Sequence, residues 1–367
     1  MLLYIYKISF PLIYTMLNDI KKIDAIDTAS MLDTVALFPQ QLEDALTLVN
    51  KYHIPDFIKI DDMVITGMGT SGITGDIITS LFYDKLDVPV YVNKSYDLPR
   101  WVHKDTLSLF LSYSGNSEET ISSFKQAVQR KSNIITIASG GKLAEYAEKR
   151  NVPCIKLPLG LQPRAAIGYL LIPLLEVLKK NKIVKESIDK DIQEAIDVVK
   201  KTTRINEKTV PLEKNPAKQL ATHIHQTYPK IYGWGLYSAV AQRWKNQFNE
   251  NSKLLSCYEI LPDANHNDIV GWSSSSQDTK RFSCIFFRDS HEESIYMKTR
   301  LDFFKVLCEE HASFVKEIKL EGKSRLAKSL YALNYGDFVS CYLAVLQEVD
   351  PTPIDVIHEL KQRLATL

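Results

Sequence analysis

The chain has 367 residues, more than one hydrophobic core usually serves, so two domains are expected. Hydrophobic residues make up 45% of it and charged residues 24%, with 45 Lys and Arg against 44 Asp and Glu and a net charge of +1. That balance excludes a broad field for nucleic acid or an anionic membrane as partner, but not a small anionic substrate held by a few local donors.

Leu2 to Tyr14 is apolar, broken mainly by Lys7, Ser9 and Pro11. It is too short to span a bilayer as a helix, and it has neither a basic leader nor an A-x-A-like cleavage site. Residues 1–15 are therefore expected to be an N-terminal extension, absent from the mature protein or disordered. Met31 to Tyr52 reads as helical, with Leu37, Leu42, Ala45, Leu46 and Val49 on one side. Strand and helix then alternate. Met63 to Thr66 is a strand running into GMGTSG at 67–72, and a helix follows from Ile73 to Lys85. Val88 to Val92 is a strand. Thr106 to Leu111 is another and runs into SYSGNSEET at 112–120, followed by a helix through Phe124 and Val128. Ile134 to Ala138, then SGG, then a helix over Leu143 to Arg150, lead to a fifth strand at Val152 to Leu157. A long apolar helix from Ala165 to Leu178 closes the unit. This spacing predicts a parallel sheet covered on both faces, with ligands at the carboxyl ends of its strands.

Val184 to Pro216 is lysine-rich and mostly helical, and the boundary is placed there. Ile231 and Tyr232 then lead into GWG at 233–235 and a helix from Tyr237 to Asn249, as Val64 and Ile65 lead into GMG at 67–69. Strands at Arg281 to Phe287 and Phe314 to Ile318 follow, with helices at Ile295–Glu309 and Lys323–Glu348 and a last helix from Pro353. The expected fold is α/β, with one parallel-sheet unit at 16–200, a second at 201–348 and a C-terminal helix at 349–367. The two similar openings suggest an internal duplication.

The most informative segment is SYSGNSEET. Ser112, Ser114, Ser117 and Thr120 place four hydroxyls in a strand-to-helix turn with Gly115, and a helix N-terminus suits a phosphate. Simple capping would use one hydroxyl rather than four. Glu118 and Glu119 must then point away from the anion. GMGTSG also fits a dinucleotide fingerprint, but the second strand ends in Val92, Asn93 and Lys94, without the acidic residue that holds a ribose, and no P-loop is present. Ser71 instead adds a hydroxyl at the same sheet edge.

Glu250, in QFNENSK, lies near a helix C-terminus, whose negative dipole end favours the neutral carboxyl and suits a general base. On spacing alone, however, a single helical glutamate reads as a solvated surface charge. His266, in LPDANHND, sits in a polar loop after an apolar stretch. Arg164, at the start of the long apolar helix, could clamp an anion or a developing oxyanion, or simply pair with a surface carboxylate. His223 and His225 point to different faces and have no carboxylate or cysteine beside them, so no metal is expected. Five scattered cysteines argue against a disulfide scaffold or structural zinc and fit a reducing cytoplasm.

Taken in order, GMGTSGITGD, LPRWV, SYSGNSEET, SGGKL, LPLGLQPRAAIGYLL, QFNENSK, ANHNDIVGW and the final I-x-x-L-K resemble the bifunctional phosphoglucose/phosphomannose isomerases of the phosphoglucose isomerase superfamily, over residues 16–367. The resemblance implies two sugar isomerase (SIS) domains and a cytoplasmic homodimer with shared active sites, working in glycolysis or gluconeogenesis. It implies interconversion of glucose 6-phosphate, and of mannose 6-phosphate, with fructose 6-phosphate through a cis-enediol, without metal or cofactor. Glu250 would be the base, His266 and Lys361 would open and close the ring, and Arg164 would stabilise the enediolate. Ser71, Ser112, Ser114 and Ser117 would contact substrate, the last three at its phosphate, with Gly69 and Thr70 in the close-approach loop. Family members often read GGSG where this chain has GTSG, and Thr where it has Ser117. A non-catalytic sugar-phosphate sensor would keep the serines without needing Glu250, His266 and Lys361 together. An NAD-dependent enzyme lacks its ribose acid.

Overall fold

The computed structural model describes residues 10–184, 187–273, 277–364 and 366. Four helices open it: α1 (Phe10–Asn18), α2 (Ile20–Ile26), α3 (Met31–Ala36) and α4 (Phe38–Val49). The expected extension thus lies outside the described residues up to position 9 and is helical from Phe10, and Met16 and Leu17 in α1 are buried.

The first sheet holds β1 (Asp62–Thr66), β2 (Val90–Asn93), β3 (Thr106–Ser112), β4 (Asn133–Ala138) and β5 (Cys154–Lys156) in the order β2-β1-β3-β4-β5. All pairs are parallel. Every residue of β3 is buried, as expected of a central strand covered on both faces. The covering helices are α5 (Thr70–Leu81), α6 (Glu118–Gln129), α7 (Gly141–Lys149) and α8 (Ile167–Lys180). The chain leaves β1 outward to β2 and returns across it to β3. The loops after β1 and β3 therefore face each other over the crevice that such a reversal opens.

Two helices, α9 (Asp189–Asn206) and α10 (Pro216–Ile224), lead to the second sheet. It holds β6 (Tyr228–Trp234), β7 (Cys257–Leu261), β8 (Phe282–Arg288) and β9 (Phe314–Lys319) in the order β7-β6-β8-β9, again all parallel. This order repeats that of β2, β1, β3 and β4 in the first sheet. The remaining helices are α11 (Ser238–Glu250), α12 (Asp268–Gly271), α13 (Ile295–His311), α14 (Arg325–Leu346) and α15 (Asp355–Leu364). Among the described residues no helix is long and apolar enough to cross a membrane.

Two large cores are held together by elements distant in sequence. Leu17, Ile23, Met31, Leu32 and Val35, near the start of the chain, pack in the core of the second sheet. Phe38, Leu42, Ala45 and Val49 of α4 pack in that of the first. The almost wholly buried α14 belongs to both. Leu326, Ala327, Leu330 and Leu333 join the first core, and Tyr335, Phe338, Val339 and Tyr342 the second. It crosses α11 where Gly336 meets Trp244, whose Nε1 donates to the Ala332 carbonyl at 2.8 Å. A Cβ on Gly336 would lie 2.3 Å from that Nε1. Neither backbone nor indole can retreat from a close-packed core without loss. Gly336→Ala is therefore expected to destabilise the protein by about 1–3 kcal/mol, read as a lowered denaturant midpoint with an unchanged slope.

Candidate active site

The crevice at the carboxyl ends of β1 and β3 is a cleft of about 720 Å³. One end of it is a cradle of backbone and hydroxyls. After β1, Gly67 and Gly72 let α5 start against the strand, since a Cβ on Gly72 would lie 2.5 Å from the Gly67 carbonyl oxygen. After β3, Gly115 turns the chain at a φ of +67°, and a Cβ there would lie 1.8 Å from the Gly140 carbonyl oxygen. The SGG turn at 139–141 is the wall on which this loop rests. Ser139 N donates to Tyr113 O at 3.0 Å, Leu143 N to Gly115 O at 2.9 Å and Lys142 N to Asn116 Oδ1 at 3.1 Å.

Ser112 and Ser117 hold their hydroxyls 3.3 Å apart, Ser114 Oγ accepts from Asn116 N at 3.3 Å, and Ser71 Oγ accepts from Tyr113 N at 3.4 Å. Ser117 occupies the N-cap of α6 but makes no capping bond with its side chain, so capping does not account for this hydroxyl. Thr120, the fourth hydroxyl counted in the sequence, is fully buried and does not line the cleft. Glu118 and Glu119, expected to point away from the anion, both line the cleft, although Glu118 Oε1 accepts from the Tyr96 hydroxyl, outside it, at 3.1 Å. Lys125 and Lys142 add positive charge to this end. Periodicity gave no sign of either lysine, because both sit on helices as ordinary exposed charges.

The same cleft is lined by Arg164, Glu250 and Lys361. Arg164 sits in a short 3-10 turn, Pro163–Ala165, at 2% exposure. Its Nε donates to Asn251 Oδ1 at 2.6 Å, and its Nη2 donates to the carbonyls of Pro351 and Thr352, both at 2.7 Å. Its buried Nη1 has no hydrogen-bond partner among the described residues and lies 4.0 Å from Glu250 Oε2. Burial draws the guanidinium's pKa below its usual value, and the Glu250 carboxylate opposes that, yet an arginine stays charged at neutral pH. Glu250 is the last residue of α11. Lys361 comes from α15, none of whose residues is buried, and that helix lays Ile357, Leu360 and Leu364 along the cleft, with Ile354 just before it.

The structure thus gathers Gly69, Thr70, Ser71, Ser112, Ser114, Ser117, Arg164, Glu250 and Lys361 on one cleft. It leaves His266 out. That residue is exposed at the end of the 3-10 turn Asp263–His266 after β7 and does not line the cleft of its own chain.

One residue that sequence reasoning missed stands behind all of this. The buried Arg243 of α11 donates from Nη1 to Thr70 Oγ1 at 3.0 Å, and from Nη2 to the Arg164 carbonyl at 2.6 Å and to Asp337 Oδ2 at 3.0 Å. The hydroxyl of Thr70, where a glycine was the commoner expectation, is thereby engaged with the second unit. Burial raises the pKa of Asp337, and Arg243 opposes the shift.

Among the described residues, one cluster could hold a metal: Asp61, His103 and Asp105. It lies at the opposite, amino-terminal edge of the sheet, and Lys59 is paired with both carboxylates at 2.7 and 3.3 Å.

Residues 56–156 match the SIS domain family, and residues 213–364 match the C-terminal SIS domain of bacterial phospho-glucose isomerase. The bifunctional phosphoglucose/phosphomannose isomerase of Caldicellulosiruptor bescii is 38% identical over 339 residues, covering 92% of this chain and 99% of that one. The enzyme of the same name from Aquifex aeolicus is 33% identical over 310 residues, covering 84% and 92%. Among solved structures, a hypothetical protein from Thermus thermophilus superposes with a TM-score of 0.73 at 13% identity, covering 97% of this chain and 94% of that one. At that identity the likeness concerns the fold alone.

The packing of Gly115 on Gly140 makes the cradle fragile. Gly115→Ala is expected to cost about 1–3 kcal/mol of stability. It should also abolish most of the melting-temperature rise that inorganic phosphate gives the wild type, read by thermal melts with and without phosphate.

Proposed function

The chain belongs to the bifunctional phosphoglucose/phosphomannose isomerase family, and on that premise we propose that its cleft interconverts glucose 6-phosphate and mannose 6-phosphate with fructose 6-phosphate. The observation that carries this reading is the buried Arg164, whose Nη1 has no hydrogen-bond partner among the described residues and lies 4.0 Å from the Glu250 carboxylate, on the cleft that the serines also line.

The substrate phosphate would sit in the cradle, bound by Ser112, Ser114 and Ser117 and by the free N–H groups that open α6, with Gly69, Thr70 and Ser71 close by. Binding there supplies positioning remote from the reacting carbons. Glu250 would take the proton from C2 of the open-chain aldose and return it to C1, passing through a cis-enediol. Charge develops on oxygen in that step, and the free Nη1 of Arg164 is a donor already desolvated and fixed in place for it. Removing such a donor's other bonds is unnecessary, because Nε and Nη2 remain on Asn251 and on the two carbonyls. Glucose and mannose 6-phosphate differ only at C2 and share the enediol, so one base serves both.

Opening and closing the ring falls to Lys361 and to His266, and we assign His266 to the cleft of a second copy. Its exposure on a polar turn outside its own cleft supports this, and a two-fold homodimer would build two composite sites on one isologous interface. Five free cysteines fit a cytoplasmic setting, and the substrates place the enzyme in carbohydrate metabolism. A sensor of sugar phosphates would have no use for a carboxylate, a free guanidinium nitrogen and a lysine on one cleft.

Glu250→Gln keeps the size of the side chain and removes the base. Its kcat should fall about 10²-fold or more with little change in KM, measured by coupled assays with glucose and with mannose 6-phosphate. Near-normal turnover in the variant sinks the assignment of the base, and wild-type activity on glucose 6-phosphate alone sinks the bifunctional reading. The shared site has its own test. Inactive Glu250→Gln and His266→Ala chains, dissociated, mixed and reassociated, should recover about a quarter of wild-type activity, because half the dimers are mixed and each has one intact site. Mixed dimers seen by native mass spectrometry without activity would place both residues in one chain's site.

A further inference from the structure

The last carbonyls of a helix lack partners and carry the negative end of its dipole. In α11 those carbonyls belong to the turn that bears Glu250. Three residues on, Lys253 adopts a left-handed backbone with φ of +53°, a conformation rare for a residue with a Cβ. The turn folds its ammonium back onto the helix end. Nζ donates to Glu250 O at 2.7 Å and lies 3.4 Å from Asn251 O. A third bond crosses the molecule to Pro351 O at 3.0 Å, at the root of α15. The same Pro351 carbonyl accepts from Arg164 Nη2 at 2.7 Å.

The turn is otherwise well anchored. Asn251 Nδ2 donates to Ser340 Oγ at 2.9 Å and Ser252 Oγ to Ser340 O at 2.7 Å, both on α14. Fixing the backbone of α11 therefore does not require the lysine, and the left-handed φ is the usual close of a helix end, as at Lys131, Asn151, Lys182 and Glu348 after α6, α7, α8 and α14. Arg164 already joins Asn251 to the Pro351 and Thr352 carbonyls, and what the lysine adds is a second cation that ties the carbonyl of Glu250 itself to Pro351 at the root of the helix that carries Lys361.

We infer that Lys253 is a positioning residue for the isomerisation, holding the base-bearing end of α11 and the root of α15 in one frame. This rests on the isomerase reading above. The ammonium also sets the charge around the base. Burial lowers its pKa below the usual lysine value and the nearby Arg164 adds to that, while Asp350, the Cys341 thiol and Glu250 itself oppose. The groups that act on the Lys253 ammonium are thus Arg164 from the 3-10 turn, Asp350 before α15, the Cys341 thiol on α14 and Glu250 on α11, while Glu250 itself faces Arg164 at 4.0 Å and shares the cleft with Lys361 on α15.

The test uses the full chain with Lys253→Met, Lys253→Arg and Lys253→Gly. Met should lower kcat about 10-fold while KM for glucose 6-phosphate changes less than about 3-fold. It should also shift the acidic limb of the kcat/KM profile to higher pH, because the carboxylate loses a neighbouring cation. Arg should restore most of kcat. Gly suits the left-handed backbone, so it should melt no lower than Met yet show the same loss of kcat. A Met variant with wild-type kcat and pH profile overturns the inference, and so does a loss that Arg does not reduce. Amide exchange over 355–364 gives a readout independent of turnover, faster in Met than in the wild type if the clamp is real. A wild type that turns over no hexose phosphate sinks the functional reading, while unchanged exchange in the Met variant sinks the clamp.

Discussion

The cleft depends on one buried guanidinium. Arg243 is 1% exposed, and its Nη1 and Nη2 donate to protein acceptors, because a buried charge left unpaired is costly. Those acceptors are Thr70 at the start of α5, the carbonyl of Arg164, and Asp337 in the middle of α14. One side chain of the second unit thereby fixes the loop after β1 and the turn that presents Arg164, both from the first. The geometry of the cradle relative to the acid–base end is set by this contact. No segment of either unit could fix it alone. The same demand for partners orders Arg164, whose Nε and Nη2 are satisfied while the buried Nη1 has no hydrogen-bond partner among the described residues.

The two units share a strand order but not a use. After β3 the chain makes an open serine turn. At the corresponding place after β8 it sets Asp289, whose carboxylate accepts from Lys328 at 2.8 Å and from the Tyr237 hydroxyl, with His291 N at 3.1 Å. Arg288 beside it is taken up by Glu293 and Asp302. Where the first unit leaves donors free, the second consumes its own. Its contribution to the cleft comes instead from the far ends of its helices, Glu250 on α11 and the root of α15.

Much of this was legible in the sequence, and the misses have physical reasons. Strands buried on both faces, such as β3 and β8, announce themselves as apolar runs. The strand β7 does not. It is an edge strand, only partly buried, with Glu259 at its centre, and the sequence showed only an apolar stretch before the His266 loop. The edge strand β2 was found but placed about two residues early. The serine turn was readable because hydroxyls and a glycine cluster locally. Thr120 was misjudged because helical phase, which turns it into the core, cannot be fixed at a helix start. Arg243 and Lys253 were invisible because their partners are remote in the chain, and a lysine or arginine on a helix or in a turn ordinarily reads as a solvated charge. The packing of α1 to α3 on the second core was hidden for the same reason.

That packing bears on how the chain is made. A ribosome releases the first unit first, and domains of many proteins fold as they emerge. Here the order of synthesis and the order of closure run against each other. Leu17, Ile23 and Val35 leave the ribosome early, yet the core they belong to is built on β6 to β9. The first sheet, complete at β5, still lacks Leu326, Leu330 and Leu333 from α14. Neither core can be finished until that helix is free of the exit tunnel. The nascent protein must carry two apolar faces uncovered through most of its translation, and the bilobal enzyme closes as one event at the end.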